Sequence, residues 1–172
     1  MKYAKIILIL SMMMIAAGCR GNANQDAGIT NAPVDPDFVQ GVFGNPTKIN
    51  GVWQQVNDIR VISAEGDGHA GFAYIILSIS IVNESADPVL PASITLVDRF
   101  ENVYVTRQDN SIPFADQLQP MPLTVGTNES VTGTEVYLVP LSALQSDLRM
   151  RWESTSHNSR IDILLGALEL SG

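Results

Sequence analysis

The chain has 172 residues but one cysteine, two histidines, and 10 Lys and Arg side chains against 18 Asp and Glu. Each shortage narrows the possibilities. A single thiol cannot close a disulfide within the chain, so the fold has to be held by packing. His69 and His157 are far apart in the sequence, and neither has a Cys, Glu or second His at a zinc-ligand spacing. A formal net charge of −8 repels polyanions, which argues against nucleic acid as a partner. There is no glycine-rich phosphate loop and no glycine-flanked nucleophile elbow, and no serine has a base close by in the chain. Helix-period patterns are scarce beyond residue 46. No enzyme class is indicated, and no cofactor or metal is expected.

The position of the lone cysteine is informative. Lys2 and Lys5 precede an uncharged run from Ile6 to Gly18, which ends in small residues just before Cys19. A charged start, an apolar middle and a small-residue end are the three parts of an export signal. The run is too short to cross a bilayer: at about 1.5 Å per residue it reaches about 20 Å, against a hydrocarbon core of about 30 Å. Ala16-Ala17-Gly18-Cys19 resembles the lipobox of bacterial lipoprotein signals, with alanine where leucine is usual. That resemblance implies cleavage between Gly18 and Cys19 and a diacylglyceryl group on the Cys19 sulfur. Two or three acyl chains hold firmly to a bilayer where one holds only marginally. The expected location is therefore the cell membrane or outer membrane, on the periplasmic or exterior face. Residues 1–18 are expected to be a signal peptide. Residues 19–46, rich in Asn, Ala, Gly, Asp and Pro, read as a flexible linker reaching about 30 Å. Within it, Phe38 to Phe43 is less polar and could instead dock as an edge segment.

Residues 47–172 read as one all-β domain. In "AGFAYIILSISIVNES" Ala73, Ile75, Leu77, Ile79 and Ile81 fall on one face, a period of two. "LRMRW" places Leu148, Met150 and Trp152 opposite Arg149 and Arg151, and "RIDILLGALEL" reads as a buried last strand. With further strands near 52–62, 92–97, 102–106 and 130–139, the count suits an immunoglobulin-like two-sheet antiparallel β-sandwich of about seven strands. Trp53, Trp152 and Tyr137 are the bulky candidates to fill the space between the sheets.

The blocks also resemble, in order and spacing, a large family of uncharacterised immunoglobulin-like domains of bacterial lipoproteins and secreted proteins. The matching residues are Asn83 in "ISIVNES" followed by Pro88-Val89, and Asp98 and Tyr104 in "ITLVDRFENVY". They continue with Ser130, Val131, Gly133, Tyr137, Val139 and Pro140 in "NESVTGTEVYLVP", and with the closing "RIDILL". The resemblance spans about residues 50 to 170. It departs at Phe100-Glu101, where the family has a hairpin glycine, and at Thr127-Asn128, where it has proline-glycine. The resemblance implies the fold and brings no catalytic residues with it.

Several side-chain groupings invite chemistry. Glu65, Asp67 and His69 share a glycine-rich turn and could approach a hard cation, although the spacing of a calcium loop is lacking. Met121, Met150 and His157 offer soft ligands for Cu(I), but Met150 lies on an apolar strand face. Folding could bring a serine and an aspartate to His157. The long irregular segment 107–129, broken by three prolines, carries Ile112, Phe114, Leu118 and Met121 among polar residues. Long loops in small domains often serve function, so these four are the candidate partner-binding residues. The expected function is a non-catalytic, lipid-anchored envelope protein that binds a protein partner or supports envelope assembly. The alternatives are an envelope carrier or sensor of a small ligand or metal ion, and an envelope hydrolase.

Overall fold

A computed structural model describes residues 35–107, 112 and 115–171. Cys19, Gly18 and Phe114 lie outside the described residues. Among the described residues, nine strands form two sheets packed face to face. They are β1 (Asp37–Val42), β2 (Thr47–Ile49), β3 (Val52–Ser63), β4 (Phe72–Asn83), β5 (Ile94–Val97), β6 (Val103–Val105), β7 (Glu129–Pro140), β8 (Leu148–Ser154) and β9 (Ser159–Gly166). One sheet runs β1-β9-β8-β5-β6 and the other β2-β3-β4-β7. All pairings are antiparallel except β1 with β9, which is parallel from Asp37↔Ser159 to Val42↔Leu164.

The seven expected strands are present as β3 to β9. In immunoglobulin lettering, β3-β4-β7 correspond to A-B-E, and β9-β8-β5-β6 to G-F-C-C′. The sandwich also begins earlier than residue 47. β1 lies inside the stretch expected as linker, where Phe38 to Val42 dock as an edge segment as the alternative reading had it, and β2 adds a short edge to β3. Where an immunoglobulin sandwich has strand D, beside E, this chain has the irregular segment 107–129.

The alternation in β4 decides the core. Ala73, Ile75, Leu77, Ile79 and Ile81 are fully buried between the sheets. They meet Ile94, Leu96, Leu148, Met150, Trp152, Ile161 and Ile163 from the facing sheet. Tyr137 and Trp152 fill the interior as expected, but Trp53 does not. In β3 the inward residues are Val52, Gln54 and Val56. A bulge between Val56 and Asp58 then moves Ile59 and Val61 onto the same register, opposite Leu77 and Ile75. Trp53 therefore faces outward, with Lys48 Nζ 4.5 Å from its ring centroid and its Nε1 donating to Glu84 at 3.1 Å. Gln54 takes the inward place, and neither of its amide atoms has a hydrogen-bond partner among the described residues.

Both departures from the family pattern fall at left-handed positions. Glu101 has φ 62° in the β5–β6 hairpin, and Asn128 has φ 61° before β7. The hairpin is held by Asp98. Its Oδ1 accepts from the backbone N–H of Phe100 (2.8 Å) and Asn102 (3.0 Å); its Oδ2 accepts from Asn102 Nδ2 (2.9 Å) and Tyr104 Oη (3.1 Å). Burial pushes the Asp98 carboxyl up, and these bonds outweigh it, leaving the group below its ordinary value. Asn128 donates its N–H to the backbone oxygen of Asn83 at 2.6 Å. Asn83 is fully buried. Its side chain donates to the oxygens of Asp87 and Val125 and accepts from Ser85, which ties the β4 end to the segment before β7.

Candidate functional site

The described residues of segment 107–129 form a strap along the free edge of β7. It is bonded to that strand at two places: Arg107 N–H donates to Val136 O at 2.7 Å, and Thr134 N–H donates to Gln119 O at 2.8 Å. Part of its apolar content turns back onto the domain. Ile112 is buried against Tyr74, Ile76 and Val136 on the outer face of the β2-β3-β4-β7 sheet, with Leu118 packed beside them. This second small core explains why the outward residues of β4 change from Tyr and Ile to Ser within one strand. Met121 is half-buried and rests on Gly133, which leaves no room for a Cβ: one there would stand 2.9 Å from Met121 Cα.

Beside β7 is a cavity of about 320 Å³ lined by Arg107, Ile112, Leu118, Met121, Leu123 and Glu135, among others. Of the four candidate partner-binding residues, Ile112, Leu118 and Met121 thus come together at one site, Ile112 mainly as packing. Leu123, 78% exposed at the wall, joins them.

Glu135 is the residue that the reading of the sequence passed over. It sits on the inward face of β7 with Gly133, Tyr137 and Val139, and it is buried. In "TGTEVYLV" Glu135 shares a face with Tyr137 and Val139, but Val136 and Leu138 make the other face apolar too, so the sequence does not mark the acid as inward. Its Oε2 accepts a hydrogen bond from Thr106 Oγ1. Burial holds its carboxyl above the ordinary value, and the Thr106 bond only partly opposes this. Burial, then the neighbouring Glu135 charge, also keeps the Tyr137 phenol well above its ordinary range.

The other groupings are placed as follows. Among the described residues no three His, Cys, Asp or Glu side chains converge as metal ligands, the Glu65–Asp67–His69 turn included. His69 instead meets Tyr74 edge to face at 6.4 Å. Met150 is fully buried in the main core. Folding does bring a serine to His157: Ser85 Oγ lies 2.9 Å from Nε2. On the other side of the ring, Ser154 Oγ lies 2.8 Å from Nδ1, so a hydroxyl stands where a catalytic triad has its carboxylate. Ser85 Oγ is also within 2.6 Å of Asn83 Oδ1 and 2.9 Å of Asp87 O, two acceptors that compete for its single proton.

The outer face of the five-stranded sheet carries a charge network. Asp162 on β9 is buried and receives Arg151 Nε (3.0 Å) and Nη2 (3.1 Å), and Arg160 Nε (3.1 Å) and Nη2 (2.7 Å); Arg149 Nε lies 3.1 Å from Oδ2. Arg149 and Arg151 reach on to Glu101 in the β5–β6 hairpin.

With this geometry in hand, likeness to known proteins can be set beside it. No protein-family model matches the sequence, and no curated protein matches it either. Solved structures do match in fold. The yjhA protein from Bacillus subtilis superposes with a TM-score of 0.51 at 12% identity, over 72% of this chain and 99% of that one. A protein of unknown function from Listeria monocytogenes gives 0.52 at 14% identity, over 74% of this chain and 84% of that one. The ycdA protein from Bacillus subtilis, proposed to be a lipoprotein, gives 0.53 at 13% identity over 71% of this chain; the match spans 38% of ycdA. Identities this low speak for a shared β-sandwich fold and nothing further.

Proposed function

We propose that the chain is a lipid-anchored, non-catalytic protein of the cell envelope that presents its sandwich for interaction with a protein partner. The observation that carries the anchor is the lone Cys19 directly behind Ala16-Ala17-Gly18 and an uncharged apolar run. The fold likeness to ycdA, itself proposed to be a lipoprotein, supports it. A diacylglyceryl thioether on Cys19 would hold the domain at the membrane surface through acyl chains, which suits an acidic chain with few lysines and arginines to grip anionic headgroups. The partner-facing surface in this reading is the rim of the β7 strap, where Leu123 projects into solvent.

Mass spectrometry of the chain extracted from membranes tests the anchor. The expected product begins at Cys19 with the lipid on sulfur; an unmodified sulfur or a retained leader would refute it. A photo-crosslinking amino acid at Leu123, activated in intact cells, tests the surface. One dominant adduct is expected, and none above background would refute that part. A second reading, an envelope carrier or sensor of a small ligand, is favoured by one observation: a buried carboxyl opens on the cavity beneath the strap.

A further inference from the structure

Among the described residues, the buried carboxylates Asp98 and Asp162 are fully engaged, and Glu135 is not. Asp98 receives four hydrogen bonds, and Asp162 is surrounded by three guanidinium groups. Glu135 is only 4% exposed, yet among the described residues it accepts a single bond, from Thr106 to Oε2. A carboxylate offers about four acceptor positions, so the bond from Thr106 leaves others available at the cavity that Glu135 lines. Glu135 lines the hollow beside the strap together with Ile112, Leu118, Met121, Leu123 and Val136, and with Arg107 and Thr134 as its other polar residues.

We propose that this cavity binds a small organic amine, with the ammonium group hydrogen-bonded to the Glu135 carboxylate and the apolar body against Leu118, Met121 and Leu123. Oε1 is the oxygen that Thr106 leaves open, so the hydroxyl fixes the carboxylate plane and presents one oxygen to the ligand. A bare metal ion fits poorly, since one carboxylate and aliphatic walls do not make a coordination shell. An ammonium brings its own directional donors and needs one good acceptor. Arg107, which also lines the cavity, already has an interaction of its own. The volume, about 320 Å³, is at the small end of ligand pockets, which suits one compact molecule rather than a segment of a protein. This binding deepens the small-ligand reading of the same cavity and does not depend on the lipid anchor, which can hold if it fails.

The test is isothermal titration of the full chain, purified from membranes in detergent, with phenethylamine and with 2-phenylethanol, which has the same body and no charge. Saturable one-to-one binding of the amine is expected, with the alcohol about tenfold weaker or more. Glu135→Gln should weaken the amine about tenfold and bring it level with the alcohol. Leu123→Ala, at a side chain exposed enough for truncation to leave the fold intact, should weaken both ligands several-fold; circular dichroism confirms that each variant is folded. The proposal is overturned by any of three results: no saturable binding of phenethylamine, equal binding of the alcohol, or a folded Glu135→Gln variant that binds the amine as well as the native chain.

Discussion

Removing the charge of Asp162 should have a large and specific effect on stability. Its side chain is 3% exposed, while those of Arg149, Arg151 and Arg160 are 14%, 13% and 31% exposed. In Asp162→Asn the three cations stay on one sheet face, where Arg149 and Arg151 share Glu101, itself 63% exposed, and Arg160 loses the carboxylate it pairs with. Deleting one partner of a buried ion pair costs about 3–5 kcal/mol. The lower end applies because the guanidinium groups can turn partly to water, so a loss of about 3 kcal/mol is expected. For a domain of this size that corresponds to a fall in Tm of about 10 °C. Urea unfolding measures it as a lower midpoint at unchanged slope. Acidity gives an independent check. Burial raises the Asp162 carboxyl, but hydrogen bonds from Arg160 and Arg151 outweigh that and hold it below its ordinary 3.8. A lowered folded value means the stabilisation is complete above 3.8 and is lost as pH falls through the folded value. The difference between native chain and variant should therefore be flat from neutral to about pH 5 and close in stronger acid. A loss under about 1 kcal/mol at neutral pH, or a difference that widens on acidification, would show that the arginines do not depend on Asp162.

Three further outcomes follow from the same geometry. Gly133→Ala places a Cβ against the backbone of Met121, so the strap should lift from β7; hydrogen exchange at the Thr134 amide should speed up, and unchanged exchange would contradict the packing described. Gln54→Met replaces an inward amide that has no hydrogen-bond partner and should stabilise the fold by about 1 kcal/mol in urea unfolding; a loss of stability would mean the amide is satisfied after all. Glu135→Gln should be more stable than the native chain at pH 8. Because burial raises the folded carboxyl value above the ordinary 4.5, native stability increases as pH falls through that raised value, so the advantage of the variant should shrink there. Thermal melts across pH decide this, and a variant advantage that grows in acid would refute it.

Where burial is one-sided, the fold could be read from the residues. β4 and β8 alternate so regularly that facing, and hence the sandwich, followed from periodicity, and the long strands β3, β7 and β9 carried enough branched apolar residues to be seen. The edges were harder. β1 is mostly exposed, so its residues show little alternation, and its place depends on a parallel ladder to a strand far along the chain. Trp53 was misplaced because size suggested burial, while a bulge at Val56/Asp58 sets which face of β3 points inward, and no local residue announces it. At the site, Ile112, Leu118 and Met121 were legible as apolar residues in an irregular segment. Glu135 was not, because a single acid in a strand is ordinary on an outer face, and its meaning comes from the strap that buries it.

The parallel pairing of β1 with β9 bears on how the domain would respond to tension. Any load on the chain ahead of Asp37 reaches the sandwich through β1 first and pulls along that strand's axis. The ladder to β9 runs over six residue pairs set across that direction, so its bonds are strained together rather than peeled one by one. A domain held by its leading end at a moving surface would thus meet force in shear, at the sheet edge away from the strap on β7.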